Sequence, residues 1–140
     1  MTGRANRPDL AAMLAQLSRE TTAAEQPVLA AHDLSMWSYI VLSALDQSPI
    51  RTQAALAEAI GADKTRIIPI LDELQRRGYI ERIPDPDDRR VRLLAITKAG
   101  RSIKTAVQND IQRGEERWLG QLSANDRNVF LRVLQQLTFG

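Results

Sequence analysis

Cysteine is absent from this 140-residue chain, and histidine occurs once, at His32. Without cysteine the chain has no disulfide and no thiolate ligand for a metal. One histidine is too few for a metal site or a catalytic site built from imidazoles, so we expect neither a metal nor a cofactor. The seven glycines are scattered and form no phosphate-binding loop. These absences predict a protein without catalytic residues that is not an enzyme.

Long apolar runs are also missing. No stretch predicts a membrane-spanning helix, and the first residues show no secretory signal pattern. We therefore expect a cytoplasmic, nucleoid-associated protein with no membrane partner. Hydrophobic residues make up 44% of the chain and charged residues 26%, which suits one compact domain with appendages. The formal net charge of +2 says little by itself about nucleic acid.

Two short helices joined by a tight turn are predicted in the middle of the chain. Thr52 is placed to cap a helix over residues 53–60, and Gly61 follows its end. Asp63 then caps a second helix over residues 64–77. Such a short connection fits the turn of a DNA-binding helix-turn-helix.

The second helix has one apolar face and one polar face. Its apolar side chains recur every three or four positions, which predicts a buried stripe of Ile67, Ile70, Leu71 and Leu74. If the opposite face enters a major groove, Arg66 can contact guanine or phosphate, and Ile68 and Pro69 can meet thymine methyls. Asp72 and Arg76 lie further along and are spaced to pair. Pro69 removes one hydrogen bond, so we expect a bent helix.

After this helix the pattern changes to short stretches rich in β-branched residues. Residues 79–83 and 91–96 predict two strands joined by a charged, turn-forming tip. An exposed arginine on such a narrow wing suits the minor groove, where the phosphate potential is strong. Asp88 can hold either Arg89 or Arg90 by a charge-assisted hydrogen bond and leave the other free.

Further helices are predicted on both sides of this segment. Before it, a helix over residues 9–25 follows a polar tail and is interrupted by Pro27, and a short helix is capped by Ser35. After it, a long helix over residues 98–121 precedes a last helix that begins at Ser123. The outer helices are amphipathic but lie outside the segment that has its own core. We therefore expect them to pack against a second copy in a two-fold homodimer.

Four segments, taken in order, resemble the MarR family of bacterial transcription regulators. They are LAEAIG at 56–61, LQRRGYIER at 74–82, DRR at 88–90 and LAITKAGR at 94–101. The resemblance covers nearly the whole chain and implies that residues 64–77 form the recognition helix. It places Asp88 and Arg90 on the Asp-x-Arg motif of the family's wing. It also implies a dimer and a small aromatic or phenolic effector that changes the separation of two DNA-binding heads.

The predicted fold is mainly α with a small β-hairpin wing (α+β), a winged helix-turn-helix flanked by N- and C-terminal dimerisation helices. The N-terminal dimerisation helix takes residues 1–32, the DNA-binding domain 33–97 and the C-terminal dimerisation helices 98–140. The predicted function is a ligand-responsive repressor that binds a palindromic operator in double-stranded DNA. The alternative is a winged helix that binds another protein without specific DNA binding. The predicted DNA-binding residues are Thr52, Lys64, Thr65, Arg66, Ile68, Pro69, Arg76, Asp88, Arg89 and Arg90.

A ligand pocket is a further prediction, with the lining residues Met13, His32, Met36, Trp37 and Tyr39. Such side chains can equally be plain core, and His32 can lie in an ordinary surface loop. Two arginine pairs also have a second interpretation. Arg76 and Arg77 can cap the last carbonyls of their helix, and the arginines of the wing tip can belong to a solvated turn.

Overall fold

The structure is a computed structural model that describes residues 6–140, so residues 1–5 of the predicted polar tail lie outside it. In chain order the elements are α1 (Leu10–Ala31), α2 (Met36–Gln47), α3 (Gln53–Ile60), α4 (Lys64–Arg76), β1 (Ile80–Pro84), β2 (Arg92–Ile96), α5 (Lys98–Gly114), α6 (Glu116–Leu119) and α7 (Ala124–Phe139). The expected fold class, mainly helical with one antiparallel hairpin, is confirmed. The chain divides into a central unit, residues 26–109, and a terminal unit, residues 6–25 with 110–140.

Side-chain caps fix where the helices begin, because each satisfies a backbone N–H that has no partner inside the helix. The capping bonds run from Ser38 N to Ser35 (3.0 Å), from Ala55 N to Thr52 (2.9 Å), from Thr65 N to Asp63 (3.1 Å) and from Asp126 N to Ser123 (3.1 Å). All four predicted starts are confirmed. Between the middle two helices, Gly61 takes a φ of +69°, a left-handed conformation that suits glycine and ends α3 sharply.

The core of the central unit forms where α2 packs against α3, α4 and β2. Its buried side chains include Val41, Leu42, Leu45, Leu56, Ile67, Leu71, Leu74 and Leu94. The predicted apolar stripe of α4 is therefore confirmed, with Ile70 half-buried at its edge. Because this stripe faces the core, the opposite side of α4 faces solvent.

The wing is a two-stranded antiparallel hairpin whose register pairs Ile80 with Ile96 and Pro84 with Arg92. A third segment joins it as a single bridge, since Ile50 and Leu94 exchange backbone hydrogen bonds of 2.9 and 2.7 Å. Ile50 thus lies beside the hairpin as an isolated bridge and does not form a third strand. The strands begin one residue later than the sequence predicts.

The root of the wing is fixed to the end of α4 and the start of α5. Thr97 donates its backbone N–H to the Tyr79 carbonyl at 3.0 Å and its hydroxyl to the Gly78 carbonyl at 2.6 Å. The same hydroxyl accepts from Gly100 N at 3.0 Å. A Cβ on Gly100 would lie 2.1 Å from the Tyr79 carbonyl oxygen, so only glycine permits this approach. Recognition helix, wing and α5 thus meet at one tight joint.

The prediction that Pro27 interrupts the first helix is wrong. Helix α1 continues through it to Ala31. The proline removes only one hydrogen bond and lies on an exposed side of the helix. The next turn is held independently by Leu29, which is 1% exposed.

The prediction of one long helix over residues 98–121 is also wrong. Helix α5 ends at Gly114 and α6 begins at Glu116. Between them, Glu115 has a ψ of −16°, flatter than an α-helix, and its carbonyl accepts from Trp118 N three residues later at 3.0 Å. Gly114 favours this change because glycine has a low helix propensity.

Residues 6–140 hold no group of three or more His, Cys, Asp or Glu side chains placed to bind a metal ion. No single helix in the same part of the chain is long and apolar enough to cross a membrane. Within the described residues, the bent pair of α1 and α2 reaches that length and hydropathy only when the two helices are taken together.

Candidate DNA-binding surface

Helix α4 presents five of the predicted residues on its outer side. Lys64, Thr65, Arg66, Ile68 and Pro69 are all exposed in the first turns of the helix. Ile68 keeps 39% of its surface exposed, which is unusual for an isoleucine inside a folded unit. This side therefore combines cationic, hydroxyl and apolar groups at the N-terminal end of the helix.

Thr52 lies at the N-terminus of α3, and its residue is exposed. Its oxygen accepts from Ala55 N at 2.9 Å, so its first role is to cap the helix.

The wing tip holds Arg90 in a two-point contact with Asp88. Arg90 donates through Nε to Oδ1 at 3.1 Å and through Nη2 to Oδ2 at 3.3 Å. These hydrogen bonds lower the pKa of Asp88. The arginine side chain nevertheless stays 91% exposed, and the neighbouring Arg89 is exposed as well. The carboxylate orients one guanidinium without removing it from solvent.

Asp85 organises the turn of the wing, a role that the sequence reasoning missed. It is only 7% exposed, and its Oδ1 accepts from Asp87 N at 2.9 Å. Its own backbone N–H donates to the Val91 carbonyl at 2.9 Å, which closes the hairpin below the tip. Arg51 lies 3.7 Å from the same carboxylate. An aspartate two residues before another turn residue is a recognised turn signal, so the pattern was available.

The predicted pairing of Asp72 with Arg76 is wrong. Arg76 instead bonds to Glu73, with contacts of 3.0 and 2.6 Å, because the longer glutamate side chain reaches across three positions. These bonds lower the pKa of Glu73 and raise that of Arg76. Arg76 thus has a partner on its own helix.

Arg77 ties the end of α4 to the turn between α1 and α2. It donates through Nη1 to the Asp33 carbonyl at 2.6 Å, and its guanidinium stacks 4.9 Å from the centre of the Tyr79 ring. Asp33 has a φ of +55°, an uncommon conformation outside glycine that this contact helps to hold. Arg77 therefore fixes the C-terminal end of α4 against the turn between α1 and α2.

The five predicted pocket residues lie in different parts of the structure. Met13 lines a shallow hollow with Pro8 and Gln16 in the terminal unit, whereas His32, Met36, Trp37 and Tyr39 are half-buried in the central unit. The terminal unit also holds a cavity of about 370 Å³. Its lining comprises Leu14, Leu17, Ser18, Thr21, Glu25, Glu115, Trp118, Leu119, Phe130, Leu131 and Leu134. Burial raises the pKa of both glutamates there.

Comparison with known proteins identifies the class of protein that carries such a surface. Residues 32–91 match the model of the MarR family. The transcriptional regulator HosA of Escherichia coli O111:H- is 31% identical over 124 residues, which cover 89% of this chain and 90% of HosA.

Solved structures agree with this result. CouR from Rhodococcus jostii RHA1, bound to p-coumaroyl-CoA, is 26% identical with a TM-score of 0.76, and the match covers 98% of this chain and 96% of CouR. The transcriptional repressor CouR bound to a 23-mer DNA duplex is 26% identical with a TM-score of 0.73, and 92% of each chain is covered. From the family model, the HosA relationship and this shared fold, the chain belongs to the MarR family of DNA-binding transcriptional regulators.

Proposed function

We propose that the protein is a repressor that binds a palindromic operator as a homodimer and responds to a small aromatic or phenolic effector. One observation carries the proposal. The exposed side of α4 and the exposed arginines of the wing belong to one unit and are joined at the fixed root around Thr97. A major-groove helix and a minor-groove finger are thus presented together.

Sequence preference comes from the first turns of α4. Arg66 is placed to donate two hydrogen bonds to a guanine edge, while Ile68 and Pro69 offer apolar contact to thymine methyls. Lys64 and Thr52 contribute contacts to phosphate, which raise affinity for any sequence. Arg76, already bonded to Glu73, reaches the backbone only at the far end of the helix.

Minor-groove grip comes from the wing. Arg90 is the oriented arginine, and Arg89 adds positive charge beside it. An arginine in a narrow minor groove gains from the concentrated negative potential there. This contact adds affinity and a preference for groove shape.

The dimer is inferred from apolar side chains left exposed in the terminal unit. Helix α1 exposes Leu10, Met13 and Leu14, and α7 exposes Val129, Phe130, Val133, Leu134, Leu137 and Phe139. Phe139 and Leu137 are 84% and 77% exposed, so a monomer would leave large apolar surfaces in water. A second copy covers these faces and places two recognition helices about one turn of DNA apart.

Repression and effector response are supported by the relatives. CouR is named a repressor and was solved with p-coumaroyl-CoA, a ligand with an aromatic acyl group. We propose the half-buried His32, Met36, Trp37 and Tyr39 of the central unit as residues that contact such an effector. The regulator acts in the cytoplasm, on the DNA of the nucleoid.

Selection of bound duplexes from a random pool tests this function directly. We expect enrichment of an inverted repeat whose half-sites lie about one helical turn apart, since two symmetric heads must be satisfied together. Enrichment of a single unrepeated half-site would contradict the dimer. If no sequence is enriched at moderate salt, the protein-interaction alternative replaces the operator model.

A further inference from the structure

Arg51 lies just before α3, in a segment whose backbone is fixed on both sides of it. Before it, Ile50 exchanges backbone hydrogen bonds with Leu94 of the wing, at 2.9 and 2.7 Å. After it, Thr52 caps α3 by accepting from Ala55 N at 2.9 Å. The position of Arg51 is therefore set by the wing on one side and by the helix-turn-helix on the other.

The side chain of Arg51 is held beside the turn of the wing. Its Nε lies 3.7 Å from Oδ2 of Asp85, a carboxylate whose side chain is only 10% exposed. The other oxygen of Asp85 accepts from Asp87 N at 2.9 Å, so the carboxylate itself is fixed. Even so, 62% of the Arg51 side chain is exposed. The terminal nitrogens of the guanidinium carry its remaining N–H donors, and these donors suit an anionic partner.

The charge of Arg51 also acts on the tip of the wing. Hydrogen bonds from Arg90 lower the pKa of Asp88, and the positive charge of Arg51 lowers it further. Arg51 and Arg90 are thus both close enough to influence the same aspartate. Both side chains are mostly exposed, at 62% and 91%. This part of the surface therefore presents two guanidinium groups and not one.

In the proposed complex, α4 and the wing enter neighbouring grooves of one duplex. A minor groove and the adjacent major groove are separated by a sugar-phosphate strand, so this strand runs between the two elements. Ile50 ties the segment before α3 to the wing, and α3 packs against α4. Arg51 therefore lies between the two elements that flank the strand, and its exposed guanidinium is placed to meet a phosphate.

We infer that Arg51 binds a phosphate of the strand between the two grooves and that Asp85 positions its guanidinium for this contact. The inference rests on the proposed binding of α4 and the wing to DNA. A phosphate contact carries no base information, but it fixes the register of a protein on the duplex. Arg51 thus sets how far α4 and the wing can shift along the DNA together.

Substitution of Arg51 tests the contact from the protein side. Arg51→Ala should weaken binding to every duplex about three- to tenfold, because one exposed charge-assisted contact is lost. The slope of log affinity against log salt should fall by about 1. Arg51→Lys keeps the charge and should keep most of the slope. Arg113→Ala removes an arginine that is likewise exposed beside an aspartate and is the matched control, which should change neither quantity.

Neutral phosphates test the same contact from the DNA side. The selected operator is synthesised with a methylphosphonate in place of one phosphate at a time. At one phosphate of each half-site, between the bases bound by α4 and the step bound by the wing, this change should weaken the unaltered protein about three- to tenfold. Arg51→Ala should not be weakened further there, since the two changes remove the same contact.

Two outcomes would overturn the inference. If every neutral phosphate weakens Arg51→Ala as much as the unaltered protein, the arginine only supports the turn of the wing through Asp85. If Arg51→Ala binds with unchanged affinity and salt slope, Arg51 lies away from the DNA. In both cases DNA binding itself persists. A protein that binds no duplex fails the proposed function, and the inference fails with it.

Discussion

Arg90 donates from Nε to Oδ1 of Asp88 over 3.1 Å, yet 91% of the arginine side chain remains exposed. The carboxylate restricts the guanidinium before DNA arrives, which reduces the conformational entropy lost on binding. In the proposed complex its negative charge also repels the phosphates and so weakens their attraction to the wing. Asp88 therefore orients the Arg90 guanidinium at some cost in affinity for DNA.

Arg90→Ala should weaken binding to every duplex and reduce the slope of log affinity against log salt by about 1, because one phosphate-neutralising charge is lost. Affinity measured at several salt concentrations gives the slope. Arg113→Ala removes an arginine that is likewise bonded to a nearby aspartate, here on α5, and is the matched control. A slope that is equal in the Arg90 variant and the unaltered protein would place the wing away from DNA.

Arg66→Ala should relax sequence choice as well as lower affinity. A two-point contact between arginine and guanine discriminates by about 1–3 kcal/mol against other bases. Binding to the selected operator and to duplexes changed at single positions measures this difference. Equal losses on every duplex would assign Arg66 to phosphate, and Thr65→Ala gives a second test on the same face.

Leu137→Glu should dissociate the proposed dimer, because it places a charge in the apolar surface of α7. Leu137 itself is 77% exposed in the single chain. We expect the dimer dissociation constant to rise about tenfold or more. Sedimentation at several concentrations measures it. Gln135→Glu adds the same charge at an exposed polar position of α7 and should leave the dimer intact. A monomeric unaltered protein would refute the model before any variant is made.

Asp46 links α2 to α5 through a nearly buried lysine. Its carboxylate accepts from Arg101 Nε at 2.7 Å and from Lys104 Nζ at 3.0 Å, and the lysine side chain is 9% exposed. Asp46→Ala leaves that ammonium with no carboxylate and only the Gln108 side-chain oxygen, at 3.1 Å, as a partner. The substitution should lower the free energy of unfolding by about 1.5–3 kcal/mol. Denaturant unfolding measures the change. Glu73→Ala, in an exposed ion pair, should change stability less.

The Asp46 contribution should also depend on pH. Hydrogen bonds from Arg101 and then Lys104 hold the pKa of Asp46 below its ordinary value of 3.8. A carboxyl with a lowered pKa in the folded state stabilises the fold above its unfolded pKa and loses that contribution as the pH falls through the folded value. The difference in free energy of unfolding between the unaltered protein and Asp46→Asn should therefore be largest near neutral pH and become smaller below pH 3.8. A constant difference would remove the ion pair as its cause.

Glu25 should affect stability with the opposite pH dependence to Asp46. Burial, and then the charge of Glu115, raises the pKa of Glu25 above its ordinary value of 4.5. A carboxyl with a raised pKa favours the fold when protonated, and this contribution is lost as the pH rises through the folded value. Glu25→Gln should therefore raise the melting temperature at neutral pH and change it less below pH 4.5. Glu25 lines the cavity of the terminal unit. If the proposed dimer encloses that cavity, the gain in melting temperature should be larger at high protein concentration.

Local chemistry explains what could be predicted. Capping by Thr52, Asp63 and Ser123 depends on residues three positions away or fewer, and each helix starts where its cap indicates. The apolar period of α4 likewise fixes which side meets the core, and so which side is available to DNA.

Contacts between distant residues could not be predicted in this way. Arg101 and Lys104 meet Asp46 across 55 and 58 positions, and Arg77 meets Asp33 across 44. Their partners are chosen by packing, which a single sequence does not display. The predicted interruption at Pro27 was wrong for a related reason, because the buried Leu29 holds the turn that the proline weakens.

The close contact between Gly100 and the Tyr79 carbonyl limits how the proposed effector response can work. Helix α4, the hairpin and α5 are held together at this close contact. The distance between α4 and the wing tip within one protomer is therefore fixed by the fold. In the proposed dimer, an effector would then change the separation of the two DNA-binding units and leave the geometry within each protomer unchanged.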